Sequence, residues 1–333
     1  MSHSLARTRA PGFKQIKAAA KRIESHAVKT PLLSFPVLND RVGGTVLIKP
    51  ESLQRTGSFK FRGAFNRLLQ IPEQQRAKGV IACSSGNHAQ GVAAAAKLLG
   101  INAKIIMPSD APAIKVQRTK SFGAQVILYD RAGADRDALL LDLREETGAT
   151  LVHPYEDPEV IAGQGTVGLE IAQQAEAMGY KPDAVIVCTG GGGLSSGIAI
   201  AFKELLPACE FYTCEPVGFD DVARSVLAQK RVSNAHLSGS ICDAVLTPTP
   251  GEIAFSVLRS QVTKGLVVSD DEALAAIAFA FNELKLVVEP GGAVALAAIL
   301  AGRLDLNGRT VALTISGGNV EGSVMARALE NFS

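Results

Sequence analysis

Five consecutive apolar residues, Ala184, Val185, Ile186, Val187 and Cys188, are followed by Thr189 and then by Gly190, Gly191, Gly192 and Gly193, before a helical run over 194–205. A strand with no polar face has to be covered on both sides, which helices flanking a parallel sheet do and a solvent-facing antiparallel sheet does not. The glycines add a second constraint. Four in succession are costly in chain entropy, and between a buried strand and a helix start their backbone N–H groups can cradle an anion such as phosphate. No Gly-Lys-Ser/Thr follows, which excludes a P-loop, and a Gly-x-Gly-x-x-Gly reading fits Gly191, Gly193 and Ser196 poorly.

The rest of the chain repeats the strand-then-helix unit. Strands are expected at 45–49, 79–83, 103–107, 126–129, 150–153, 210–214 and 309–315. Helices are expected at 13–27, from about Lys60, and at 89–99, 116–121, 136–147 and 270–284, the last with Ser269 as N-cap and Asp270, Asp271 and Glu272 in its first turn. Another helix is expected to run to Met178 after the glycine-rich Ala162-Gly163-Gln164-Gly165-Thr166, and the prolines at 154 and 158 mark a candidate domain crossing. Alternation of this kind means parallel sheets with crossover connections.

Composition narrows the ligand. With 34 basic and 32 acidic residues in 333, a net charge of +2 and no long single-sign run, neither a nucleic-acid footprint nor a membrane-surface patch is expected, and a small molecule is the default partner. Cys83, Cys188, Cys209, Cys214 and Cys242 are odd in number, widely spaced and free of a Cys-x-x-Cys pair, which fits reduced thiols in a cytoplasmic setting better than disulfides or a zinc site. The stretch from Met1 to Pro11 has no apolar core of the secretory kind, and its first residues are not expected to be ordered.

Three short stretches carry candidate chemistry. In Gly57-Ser58-Phe59-Lys60-Phe61-Arg62-Gly63-Ala64, two phenylalanines bracket a lysine, an apolar setting that lowers an amine's pKa towards the nucleophilic range. Ser84-Ser85-Gly86-Asn87-His88 lies between a strand and a helix, where amides and hydroxyls can hold a carboxylate and the Asn87 amide can serve a phenolic oxygen. Ser316-Gly317-Gly318-Asn319 follows the last strand, at the kind of strand end where open α/β sheets bind ligands.

Together with the 162–166 glycine stretch, the four glycines and Glu289-Pro290, these motifs occur in an order that resembles the pyridoxal-phosphate enzymes of fold type II, and within them the serine/threonine dehydratases and serine racemases, from about residue 15 to 325. The resemblance implies a tryptophan synthase β-like α/β fold of two parallel-sheet domains with the cofactor between them: 1–81 with 158–333 as the large domain, 82–157 as the small one. It implies that Lys60 holds pyridoxal 5'-phosphate covalently next to Phe59, and that Gly190, Gly191, Gly192, Gly193 and Leu194 bind its phosphate. Asn87 would contact the ring hydroxyl oxygen and Ser316 the pyridine nitrogen. A serine there leaves the ring a weaker electron sink than a carboxylate would. Ser84, Ser85, Gly86, Asn87 and His88 would bind substrate.

By the same resemblance, Lys60 removes the α-proton of L-threonine or L-serine, hydroxide leaves, and the released enamine hydrolyses to a 2-oxo acid and ammonia. Ser85 stands where racemase-like members carry a serine able to act on the face opposite Lys60, which keeps a serine racemase open as the alternative. Glu215, the Phe219 carbonyl and Asp221 match a divalent-cation loop of serine racemases, suited to Mg²⁺, Ca²⁺ or Mn²⁺. Tyr155, Ala244 and Gly291-Gly292 depart from common family residues near the substrate pocket, which also keeps larger β-hydroxy amino acids such as hydroxyaspartate open. A homodimer is expected, as relatives commonly are, and with so few residues after Asn319 no regulatory domain for isoleucine feedback is expected.

Overall fold

The computed structural model describes residues 9–111, 113–130 and 136–332; the expectation for the first eight residues lies outside them. In chain order, α1 (Phe13–Ile23) and α2 (Pro36–Val42) precede β1 (Thr45–Pro50), and α3 (Lys60–Leu69) and the one-turn α4 (Glu73–Arg76) lead into β2 (Val80–Cys83). Next come α5 (Asn87–Leu99), β3 (Ala103–Pro108), α6 (Ala113–Ser121), β4 (Gln125–Tyr129), α7 (Arg136–Thr147) and β5 (Thr150–Leu151). The long α8 (Pro158–Ala177) is followed by β6 (Ala184–Cys188), α9 (Gly193–Leu205), β7 (Glu210–Pro216), α10 (Asp221–Ala228) and α11 (Glu252–Gln261). The chain ends with β8 (Lys264–Val268), α12 (Asp270–Phe279), α13 (Pro290–Leu300), β9 (Thr310–Ile315) and α14 (Gly322–Phe332).

The strands form two parallel sheets, one of five in the order β1-β9-β6-β7-β8 and one of four in the order β4-β3-β2-β5. The apolar strand β6 is buried on both faces, as its sequence requires. Val185 and Val187 pack into a core with Ile171, Ile198 and Phe202 of α8 and α9, while Ala184, Ile186 and Cys188 pack into another with Ile277 of α12 and Val294 of α13. The four-stranded sheet has its own core, in which Val80, Ala82 and Ile105 meet Phe61, Phe65 and Leu68 of α3 and Val92 of α5. β2 is paired with β3 from Val80 onward, so the boundary expected between 81 and 82 falls inside a strand.

Strand order decides where the chemistry converges. β9 lies between β1 and β6, so the segments that leave the carboxyl ends of three adjacent strands run side by side: the one to Lys60, the one at Ser316 and the glycine loop. The first two are stitched together by the Phe59 N–H on the Ser316 carbonyl at 3.2 Å and the Gly318 N–H on the Gly57 carbonyl at 2.9 Å.

Two features differ from the sequence reading. The stretch 162–166 lies in the interior of α8, which starts at Pro158 with Asp157 as its N-cap, the carboxylate accepting from the Glu159 and Val160 N–H groups. Its glycines serve packing. A Cβ on Gly163 would stand 2.6 Å from the Gly63 Cα of α3, and one on Gly197 of α9 2.6 Å from the Gly165 N, so α8 touches both neighbours backbone to backbone. The helix expected over 270–284 is α-helical only to Phe279 and continues as a π-helical turn from Ala280 to Leu284, ending at Lys285 with φ 56°.

Beneath α3 lies a charge network that is buried except for a partly exposed Glu170. Arg62 donates to both carboxylate oxygens of Glu51 at 2.7 and 2.8 Å and to both of Glu170 at 2.7 and 2.9 Å, and Lys49 donates to Glu170 at 2.6 Å. Lys49, Glu51 and Arg62 are each 0% exposed. Burial pushes the Glu51 carboxyl up, but the Arg62 guanidinium outweighs it and holds the group below its usual range. Two cations and two anions thus tie β1, α3 and α8 together two residues past Lys60.

Candidate active site

Lys60 is the first residue of α3 and its side chain is partly buried. The amine donates to the Pro154 carbonyl at 3.0 Å and stands 5.1 Å from the centroid of the Phe59 ring. Burial lowers its pKa to about 8, against a smaller opposing pull from the Glu289 carboxylate. Only one of the two phenylalanines meets it. Phe61 is fully buried and stacks on Phe65 at 5.2 Å, because neighbouring residues at a helix start point about 100° apart.

The glycine loop offers backbone donors. Gly190, Gly191 and Gly192 lie outside any element, and among the described residues no hydrogen-bond acceptor takes their N–H groups. The first N–H groups of α9, from Gly193 and Leu194, add to them, since an α-helix leaves its first turn unpaired. Gly192 adopts φ 87°, and a Cβ on Gly191 would stand 2.5 Å from the Tyr155 ring. Side chains are therefore excluded, and a row of unpaired backbone N–H groups fits a bound phosphate. Pro154 and Tyr155 connect the two halves: the carbonyl of the first holds Lys60 and the ring of the second covers Gly191.

The Ser84 to His88 turn closes the other side, from the four-stranded sheet. Ser84 Oγ accepts the Gly86 N–H at 3.2 Å, and α5 starts at Asn87, directing its first N–H groups at the same turn. Ser85 sits partly buried in the bend. The His88 side chain is turned into the core: Nε2 donates to the Val152 carbonyl at 2.8 Å, Nδ1 is buried without a partner, and burial together with the Lys60 charge lowers its pKa to about 3. His88 can therefore offer a ligand its backbone N–H but no imidazolium. Ser316 is buried with its hydroxyl beside the Cys188 thiol.

Two residues with no role in the sequence reading complete the site. Asn87 donates to Glu289 Oε1 at 2.5 Å and accepts from Asn319 Nδ2 at 2.7 Å. Glu289 precedes Pro290 at the start of α13, yet its side chain does not cap that helix. Burial, then the Asp243 charge, pushes its carboxyl up to about 7. A polar residue before a proline that opens an otherwise apolar helix was the available signal.

The expected metal residues are brought together at the carboxyl end of β7. Glu215 accepts the Val222 and Ala223 N–H groups at 2.9 and 2.8 Å, so it already caps α10. Asp221 accepts from Asn234 at 2.7 Å through Oδ1, while Oδ2 is buried without a partner. Burial pushes both carboxyls up, Asp221 to about 7, and for Glu215 the Asp221 charge adds to it. Phe219 is buried in the turn between them, and no group of three or more His, Cys, Asp or Glu among the described residues could hold a metal.

A cavity of about 1540 Å³ is bordered by Phe13, Tyr155, Glu156, Lys203 and Arg231, and its lining includes neither Lys60 nor Ser85. No helix among the described residues is long and apolar enough to cross a membrane.

Comparison with known proteins gives a consistent picture. The family described as pyridoxal-phosphate dependent enzyme matches residues 23–317. A serine racemase of Schizosaccharomyces pombe is 41% identical over 313 residues, 93% of this chain and 95% of that protein. An L-threo-3-hydroxyaspartate ammonia-lyase of a Pseudomonas species is 42% identical over 309 residues, 93% and 95% respectively. The crystal structure of a T.th. threonine deaminase superposes with a TM-score of 0.87 at 43% identity, covering 93% of this chain and 99% of that one.

Proposed function

This chain belongs to the family of pyridoxal-phosphate dependent enzymes, and from that premise we propose that it is an ammonia-lyase converting L-threonine, L-serine or both to the 2-oxo acid and ammonia. The observation that carries the reading is the Lys60 amine, held partly buried on the Pro154 carbonyl with its pKa lowered to about 8, beside a loop of unpaired amides. Pyridoxal phosphate, when bound, supplies an electron sink for bonds at the α-carbon of an amino acid. Lys60 Nζ holds that group and accepts the α-proton, and its lowered pKa keeps a useful share of the amine neutral near pH 7. The N–H groups of Gly190 to Leu194 bind the phosphate, Asn87 and Ser316 meet the ring oxygen and ring nitrogen, and the Ser84 to His88 turn binds the substrate carboxylate. The chain up to the start of β2 at Val80, with 158–333, would form the cofactor-binding domain and the segment from β2 to 157 the smaller one.

Racemisation is the second reading, favoured by Ser85, whose hydroxyl can exchange the proton on the face away from Lys60, and by the 41% identity to a serine racemase. One panel separates the readings. Cofactor-loaded protein is incubated with L-threonine, L-serine and L-threo-3-hydroxyaspartate, and 2-oxo acid, ammonia and D-serine are measured. Equimolar 2-oxo acid and ammonia from L-threonine or L-serine is the expected result. Product from hydroxyaspartate alone, or D-serine without ammonia, would overturn it.

We also propose a divalent cation at Glu215, the Phe219 carbonyl and Asp221. Two buried carboxylates in mutual repulsion, one with an unpartnered oxygen, need a proton or a cation, and oxygen ligands suit Mg²⁺, Ca²⁺ or Mn²⁺. Saturating cation is expected to raise the melting temperature over chelator-treated protein by about 3 °C or more, as a ligand at 100 times its Kd stabilises by about 2.7 kcal/mol. Asp221→Asn should abolish the rise; an equal rise in the variant would count against the site.

A further inference from the structure

Asn87 has two ends, a carbonyl that accepts and an NH2 that donates, and a ligand in contact with it experiences opposite chemistry depending on which way the amide is turned. The surrounding groups leave it no choice. Asn319 Nδ2 is held 2.8 Å from the Thr56 carbonyl, a group that can only accept, and Asn319 Oδ1 lies 3.2 Å from the Arg118 guanidinium, which can only donate. The Asn319 amide is thereby fixed from both sides. Its Nδ2 also lies 2.7 Å from Asn87, so the Asn87 atom facing it has to be the carbonyl oxygen. That turns the Asn87 NH2 to Glu289 Oε1, 2.5 Å away, and leaves its second N–H for a ligand.

The backbone is shaped for this relay. Thr56 adopts φ 62°, rare for a residue with a branched side chain, and Gly57 follows at φ 72°. A Cβ on Gly57 would stand 2.7 Å from Asn319 Oδ1. A Cβ on Gly317 would stand 2.0 Å from Glu289 Oε1 and 3.2 Å from Asn87 Nδ2, so the glycines at 57 and 317 clear the space in which the three side chains meet. The relay also spans the two sheets: Arg118 on α6 and Asn87 on α5 belong to the four-stranded one, whereas Asn319 and Glu289 follow elements of the five-stranded one.

We propose that Asn319 and Glu289 are positioning residues that lock the Asn87 side chain with its NH2 group as donor, so that Asn87 can present an N–H and never a carbonyl to the cofactor. The proposal rests on the reading of Asn87 as a contact of the pyridoxal-phosphate ring oxygen. The lock would favour an oxygen acceptor there and reject a donor.

The test is the affinity of cofactor-free protein for pyridoxal phosphate, followed by visible absorbance. Asn319→Asp replaces the donor by an acceptor, keeps a partner for Arg118 and draws the Asn87 NH2 away from the ligand. Asn319→Ala removes the contact without imposing an orientation. Asn319→Asp is expected to weaken binding by about tenfold or more, and Asn319→Ala by several-fold less, whereas a merely structural role would make alanine at least as harmful. In an Asn87→Ala background the difference between the two is expected to vanish. At the other end of the relay, Glu289→Gln keeps an acceptor for Asn87 and is expected to bind more tightly than Glu289→Leu. This second pair reads the same lock should an aspartate at 319 impair folding. An alanine at 319 that weakens binding as much as aspartate, a difference that persists without Asn87, or equal affinities for the two Glu289 variants would overturn the proposal. Wild-type protein that takes up no pyridoxal phosphate would instead overturn the cofactor reading on which it rests.

Discussion

Replacing Lys60 by alanine is expected to lower turnover by about 10⁴-fold or more and to remove the visible absorbance of cofactor-loaded protein. The size follows from the double role of one amine. In the proposed reaction it would both hold the cofactor and accept the α-proton, and among the described residues no second lysine shares its position on the Pro154 carbonyl. The same amine sets a pH dependence. Burial destabilises the ammonium form, so the neutral, reactive form gains: at pH 7.5 about a quarter of an amine with pKa about 8 is neutral, against about 0.1% at 10.5. The rate at which cofactor-free protein takes up pyridoxal phosphate should therefore climb with pH and reach half its plateau near pH 8. A rate still rising tenfold per pH unit above pH 9 would show that the amine is not depressed. Residual turnover in the alanine variant within a hundredfold of wild type would remove Lys60 from the mechanism.

The second large effect concerns folding. Arg62→Met is expected to lower the free energy of unfolding by about 3 to 5 kcal/mol, because it strands Glu51 and Glu170 with Lys49 as the one remaining cation of the network. Glu51 has 0% exposure, so water cannot replace the guanidinium. Adding Glu51→Gln restores the charge balance, with Lys49 and Glu170 still paired at 2.6 Å, and should return a substantial part of the loss. Denaturant unfolding of the two variants measures both numbers. A loss below about 1 kcal/mol for Arg62→Met, or no recovery in the double variant, would mean that the network contributes little. Since Arg62 and Lys60 share the first turn of α3, the single variant should also bind pyridoxal phosphate less tightly.

The elements that the sequence declares most clearly are those whose signal is local. β6 and β9 have apolar runs, α5 and α12 have defined starts, and these two strands and two helix starts lie within one or two residues of where periodicity and capping put them. Other elements carry no such signal. α13 is apolar almost all round because it is buried on every side, so it has no polar stripe to give a helical period. β8 is a short edge strand with an exposed lysine at its start, and α10 and α11 are separated by an irregular stretch with few hydrophobic landmarks. The 162–166 glycines read as a loop because glycine usually breaks helices, whereas here the close approach of α3 and α9 requires them inside one.

The sequence by itself determined the class of fold and the parts of the site. A strand without a polar face needs cover on both sides, an alternation of strands and helices needs parallel pairing, and four glycines before a helix leave backbone N–H groups that can cradle an anion wherever that helix lies. These follow from interactions among neighbours in the chain. What only the tertiary structure decided is which parts meet and which way they point. β9 inserts between β1 and β6, which brings Ser316 to Phe59 across more than 250 positions of sequence; Phe61 turns into the core and leaves Phe59 alone at the amine; and the Asn87 amide takes its direction from Thr56 and Arg118 through Asn319. Strand order and amide orientation depend on contacts between residues far apart in the chain, and no local pattern of residue types encodes them.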